Sequence, residues 1–95
     1  MRAPRRDANE RDIIRVLEAH GCLVQQIHQG GGVPDLLVWS PLSKRLVLLE
    51  VKDGSKVASK RGLTPEQVDW HERWCDAPVF VVETIVEAIR AVRCS

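Results

Sequence analysis

Three ionisable residues stand where the sequence is otherwise most apolar. Asp35 follows GGGVP and leads into LLVW, while Glu50 and Lys52 lie in RLVLLEVK. Burying an isolated charge costs several kcal/mol, so a charged group inside such a run needs compensation. Side chains alternate along a strand, which puts Glu50 and Lys52 on one face of RLVLLEVK and Leu49 and Val51 on the other. Taken by themselves, Glu50 and Lys52 could be a solvated pair just past the buried half of the strand. Asp35 changes the balance, because it heads the preceding strand and can fall beside Glu50 if the two strands pair as a hairpin. Two adjacent carboxylates repel unless a hard cation lies between them, and oxygen donors of this kind suit Mg²⁺ or Mn²⁺. A cation held this way polarises a phosphate and lowers the pKa of a bound water. Lys52 could then orient or deprotonate that water, or stabilise charge on the reacting phosphate. The residue types point to metal-assisted hydrolysis of phosphodiester bonds.

The elements that must position these residues follow from periodicity and punctuation. Asp7 and Glu10 have capping-box spacing, and Ala8 to His20 shows helical period through Ile13, Ile14 and Leu17 up to Gly21. Glu10 shares the face of those apolar residues and is expected at the buried edge of the stripe; a first-turn acid that favours the helix dipole is the alternative. Cys22 to His28 and Val33 to Ser40 read as strands, separated by Gln29 and three glycines, with Pro34 fixing the backbone ahead of Asp35. The glycines shape the approach to Asp35 and are no P-loop, since no Gly-Lys-Ser/Thr follows. Pro41 to Lys44 is a hairpin-like connection to Arg45 to Lys52, whose apolar character on both faces predicts a central strand covered by helices on each side.

Beyond it, Asp53 to Leu63 reads as a mobile Gly/Ser/Lys loop carrying Lys56, Lys60 and Arg61. Thr64-Pro65-Glu66-Gln67 is a helix start with Thr at the N-cap, and the helix runs to about Cys75 with Gln67, Trp70, His71 and Trp74 on one side. Trp70 and Trp74 at that spacing read as core, and His28 and His71 as satisfied or surface histidines. Pro78 to Glu83 is a short buried strand, and Thr84 with Glu87 caps a last helix whose inner face is Ile85, Ala88, Ile89 and Val92. A three-strand meander followed by a strand-helix-strand crossover gives an α/β fold with a mixed central sheet and helices on both faces.

With 95 residues, 44% hydrophobic and 28% charged, the chain reads as one ordinary globular domain spanning 1–95, which excludes a disordered chain. A net charge of +1 carries no information about partners, so any argument for nucleic acid rests on where the basic residues sit. Arg2, Arg5 and Arg6 around Pro4 read as a flexible basic arm over residues 1–6. Both this arm and the Lys56, Lys60, Arg61 loop could contact a nucleic-acid backbone or be merely solvated. Cys22, Cys75 and Cys94 are odd in number and widely spaced, against a disulfide framework or a structural zinc site, and are expected as reduced thiols in the cytoplasm. No stretch approaches the ~18 apolar residues of a membrane span.

The combination GGGVPDLLV, then LLEVK with fourteen residues between Asp35 and Glu50, a basic loop and LTPEQVDW resembles the VRR-NUC family. That family is a branch of the PD-(D/E)XK nuclease superfamily close to Holliday-junction resolvases, and the match spans roughly residues 10–92. The resemblance implies a restriction-endonuclease-like αβββαβ core plus a C-terminal helix. It makes Asp35 and Glu50 metal ligands with the Val51 carbonyl as a third, and Lys52 the catalytic lysine. Gln67 becomes the polar residue of the following helix that faces the site, and Glu10 the acid of the first helix; the helical faces of both agree independently. Trp70 stands where the family often has Tyr, which removes a hydroxyl and keeps the aromatic packing.

The function so implied is a Mg²⁺- or Mn²⁺-dependent DNA endonuclease acting on branched or Holliday-junction DNA, in a bacterial or phage-infected cell. Because one site cuts one strand, symmetric cleavage implies a homodimer. A nuclease-like module that binds nucleic acid without cutting it, and a protein-interaction module with no nucleic-acid role, are the alternatives.

Overall fold

The computed structural model describes residues 5–52 and 62–93, with side chains in the first helix described from Asn9 onward. Helix α1 (Arg5–Ala19) is followed by β1 (Leu23–Gln26), β2 (Leu36–Ser40) and β3 (Arg45–Val51), then α2 (Pro65–Arg73), β4 (Val79–Val82) and α3 (Ile85–Arg93). Strand order in the sheet is β1-β2-β3-β4, antiparallel across the first three strands and parallel between β3 and β4. This is the expected mixed sheet, with α2 as the crossover between its parallel pair.

Helix α1 begins earlier than the capping-box spacing predicts. Arg and Ala are good helix formers, and the helix extends back to Arg5, leaving Asp7 inside it and Arg5 and Arg6 in its first turn instead of in an arm. At the other end Gly21 takes a left-handed φ of 90°. The amide of Cys22 then donates to the Leu17 carbonyl and that of Gly21 to Glu18, a Schellman closure.

One sheet face is the core. Val38, Val47, Leu49, Val51 and Val82 are buried there beneath Ile13 and Leu17 of α1 and Ala88 and Val92 of α3. Ser40 is buried on the same face, its hydroxyl donating to the Val92 carbonyl at 2.7 Å and accepting from the amides of Leu42 and Ser43, which closes the β2–β3 turn. Cys22 joins this core, and burial pushes its thiol above the ordinary value against a smaller opposing hydrogen bond with Ser40. Cys75 is exposed and Cys94 lies outside the described residues.

Among the described residues, the opposite face is covered at one end only. There α2 lies over the C-terminal half of β3, and Trp70 is buried. Leu46 at the start of β3, Trp39 on β2, Leu23 on β1 and Val81 on β4 remain exposed. The expectation that β3 is covered on both sides therefore holds for its second half alone, because a nine-residue helix reaches only one end of the sheet. Edge position likewise leaves β4 only partly buried. Trp74, expected in the core, is 47% exposed; it stacks on Trp70 with ring centroids 4.9 Å apart.

Candidate active site

The β2–β3 register pairs Leu36 with Leu49, and one further step along it sets Asp35 opposite Glu50. Strand alternation places Glu50 on the face away from α1 and α3, toward α2, while Asp35, just ahead of β2, turns its Oδ1 to His28 near Glu10 of α1. Glu50 is 0% and Asp35 3% exposed. One oxygen of Asp35, Oδ2, accepts the Val51 amide at 2.8 Å, which ties the carboxylate to β3 as well as to its own strand.

Gln67 organises the Glu50 side. Its backbone amide donates to Thr64 Oγ1 at 3.2 Å while its Oε1 accepts the Thr64 amide at 2.9 Å, so the capping box read from the sequence is formed. The same Oε1 also accepts from Lys52 Nζ at 2.8 Å, and Nε2 donates to Glu50 Oε2 at 3.0 Å. Lys52, with a side chain only 12% exposed, lies 3.7 Å from Glu50 Oε2. One glutamine therefore starts a helix and fixes both charged residues of the strand beneath it.

Helix α2 can lie this close because of Gly32. A Cβ there would collide with the Glu66 backbone, 2.7 Å from its carbonyl carbon, and the residue holds a φ of +87°. The turn Gly30–Gly32 thus forms one wall of an open cleft of about 260 Å³ whose other walls include His28, Asp35 and Gln67.

The third carboxylate arrives from the opposite layer. Glu10 is 2% exposed on α1, and its Oε2 accepts Gln26 Nε2 at 3.0 Å and faces His28 Nε2 at 2.8 Å. Its buried Oε1 has no hydrogen-bond partner among the described residues. Asn9, one residue earlier, donates to the carbonyls of Lys52 (2.8 Å) and Glu83 (3.3 Å), and so clamps the start of α1 to the ends of β3 and β4. The sequence gives no sign of that clamp, since it joins residues 43 and 74 positions apart.

His28, expected as a satisfied or surface histidine, is partly exposed and hydrogen-bonded through Nε2 to Glu10. Its Nδ1 lies 3.2 Å from Asp35 Oδ1, so the ring bridges Asp35 and Glu10. The available signal was parity, because positions 24, 26 and 28 continue one face of β1, the face that meets α1. His71, on α2, has a buried Nε2 without a hydrogen-bond partner among the described residues. Its pKa is lowered, first by burial and then by the charge of Lys52.

The structure thus brings Glu10, Asp35, Glu50, Lys52 and Gln67 to one end of the sheet, with the three carboxylates buried. Lys56, Lys60 and Arg61 lie outside the described residues, as do the side chains of Arg5 and Arg6. Donor atoms of Glu10, His28 and Asp35 lie within 4.8 Å of one another, a group that could hold a metal ion, and Glu10 Oε1 has no protein partner among the described residues. Among the described residues, no helix is long and apolar enough to cross a membrane.

No protein-family model and no curated protein sequence matches the chain. Among solved structures, one described as a VRR_NUC domain aligns with 93% of this chain and 94% of its own, at a TM-score of 0.71 and 29% identity. The resemblance read from GGGVPDLLV, LLEVK and LTPEQVDW is therefore matched by the fold, and the chain has the architecture of a nuclease-family domain.

Proposed function

We propose that this chain is a divalent-metal-dependent nuclease that hydrolyses phosphodiester bonds in DNA, with branched DNA as its preferred substrate. The observation that carries this reading is the burial of Glu10, Asp35 and Glu50 at one end of the sheet, Glu10 and Asp35 close to one another and Glu50 beside Lys52. Asp35 and Glu50, with the Val51 carbonyl, would hold Mg²⁺ or Mn²⁺, which would supply Lewis-acid polarisation of the scissile phosphate and a more acidic bound water.

The chain's own groups do the rest. Gln67 Oε1 holds the Lys52 ammonium in place, so Lys52 meets the reacting phosphate as an oriented donor and stabilises the negative charge that develops there. Gln67 Nε2 fixes Glu50 in the orientation that presents it to the site. The open cleft beside Gly30–Gly32 admits a backbone phosphate without the reading of base edges. Lys56, Lys60 and Arg61, on the segment that joins Lys52 to α2, and Arg5 and Arg6 at the start of α1, contribute phosphate contacts.

Symmetric cutting of a junction needs two sites, and the uncovered sheet face bearing Leu23, Trp39 and Leu46 supports pairing of two copies.

The test is cleavage of labelled junction, flap, duplex and single-stranded DNA in Mg²⁺ and Mn²⁺ by wild type, Asp35→Ala and Lys52→Ala. The reading expects metal-dependent cutting, strongest on the junction, lost in both variants. Equal cutting by the variants, or junction binding without any cutting, would refute it.

A further inference from the structure

The ring of His28 stands between two buried carboxylates, hydrogen-bonded to one of them and close to the other. Its Nε2 is 2.8 Å from Glu10 Oε2 and its Nδ1 3.2 Å from Asp35 Oδ1. A neutral imidazole carries one N–H, so it donates to one of these oxygens and turns a lone pair toward the other. With Nε2–H donating to Glu10, the Nδ1 lone pair faces Asp35 Oδ1, an arrangement in which that nitrogen and that carboxylate can share a cation.

Glu10 supplies an independent observation. Its side chain is 2% exposed, and its Oε1 has no hydrogen-bond partner among the described residues. Leaving such an oxygen buried is costly unless something binds it. The distances also fit. Donor atoms of Glu10, His28 and Asp35 lie within 4.8 Å of one another. Octahedral coordination at about 2.1 Å separates its ligands by about 3.0 Å when adjacent and about 4.2 Å when opposite, so small side-chain shifts suffice.

We propose that His28 is a metal ligand, and that Glu10, His28 and Asp35 form a mixed nitrogen–oxygen site for a divalent cation, with Asp35 common to this site and to its pairing with Glu50. The proposal deepens the nuclease reading and rests on it for what the cation does. An imidazole donor favours Mn²⁺, Co²⁺, Ni²⁺ or Zn²⁺ over Mg²⁺, which binds oxygen and gives up its waters reluctantly. His28 thereby sets which metal the site prefers. The ring is partly exposed and lines the open cleft, which leaves coordination positions for water and a phosphate oxygen. Gln26 holds Glu10 Oε2 at 3.0 Å and steadies that carboxylate from behind, without offering a nitrogen ligand.

The test uses the full chain without DNA. Mn²⁺ and Mg²⁺ affinities are measured by calorimetry for wild type, His28→Asn, His28→Ala and Gln26→Leu, with circular dichroism to establish that each is folded. Bound Mn²⁺ is probed by electron spin-echo spectroscopy for nitrogen hyperfine coupling. The expected result is coupling in wild type and Gln26→Leu, absent in both His28 variants. Mn²⁺ affinity in the His28 variants falls on the order of 10- to 100-fold, while Mg²⁺ affinity changes little.

Mn²⁺ bound to wild type without nitrogen coupling would overturn the proposal, as would equal losses for both metals or a gain in Mn²⁺ affinity when the ring is removed. Failure of the two readings is distinguishable. Coupling without DNA cleavage removes the nuclease reading and keeps the site; metal-dependent cleavage without coupling does the reverse.

Discussion

Replacing Gln67 by Ala separates what the helix cap contributes from what the site contributes. The wild-type side chain accepts from the Thr64 amide and Lys52 Nζ, the two lone pairs of Oε1, and donates to Glu50 Oε2. Thr64→Ala removes only the cap's side-chain half and should cost about 1 kcal/mol. Gln67→Ala keeps the bond to Thr64 Oγ1, whose donor is the backbone amide, and removes the reciprocal one from the Thr64 amide together with two hydrogen bonds to charged groups, each about 1.5–3 kcal/mol where water cannot substitute. Glu50 is fully buried and Lys52 nearly so, which keeps water out; their own separation of 3.7 Å recovers part of the loss. The net expectation is about 2–4 kcal/mol, well above the Thr64→Ala loss but within the ~5–15 kcal/mol that holds a domain folded. At about 4–8 °C per kcal/mol for a chain of this size, thermal unfolding should drop about 4–8 °C for Thr64→Ala and at least about twice that for Gln67→Ala. Thr64→Ala should keep DNA cleavage within a few fold, while Gln67→Ala should lose about 10- to 100-fold at a temperature where it is folded. Equal melting shifts for the two variants would refute the reasoning, because the contacts to Glu50 and Lys52 would then contribute nothing.

Gly32→Ala should displace α2 and lower thermal stability more than Gly31→Ala, since a Cβ at Gly31 meets nothing within 4 Å while one at Gly32 meets the Glu66 backbone; melting curves of the pair check this. His71 is held below the ordinary value of 6.5. As pH falls below that value the unfolded chain takes up a proton that the folded chain refuses, so stability is full above 6.5 and declines with falling pH until the folded group also titrates. Urea unfolding from pH 7 to 5 should show a smaller decline in His71→Gln than in wild type. Leu46→Glu, on the uncovered sheet face, should leave the fold intact and convert a dimer to monomer in light scattering; an unchanged mass would remove that face as the interface.

Local chemistry made half of the site legible. Alternation within RLVLLEVK put Glu50 and Lys52 on one face, helical parity put Glu10 with Ile13 and Leu17, and Thr-Pro-Glu-Gln announced a cap that the structure forms. What stayed hidden depends on how elements cross. His28 acquires its role only when the residues after β1 pass the first turns of α1, and Asn9 only when α1 reaches the ends of β3 and β4. Helical spacing showed Trp74 on the face of Trp70 but not that α2 overhangs the end of the sheet, which leaves Trp74 exposed. In the same way, the apolar run of β3 announced burial without showing that its first residues lack a helix above them.

The central claim is that buried carboxylates at this end of the sheet hold the metal that serves cleavage. Glu50→Gln tests it most directly, since the substitution keeps shape and removes one charge. The measurement is the rate of cutting of a labelled junction at saturating Mn²⁺, with melting temperature recorded alongside to establish folding. The account predicts a folded variant whose rate falls on the order of 1,000-fold. A folded variant that cuts within a few fold of wild type would contradict it.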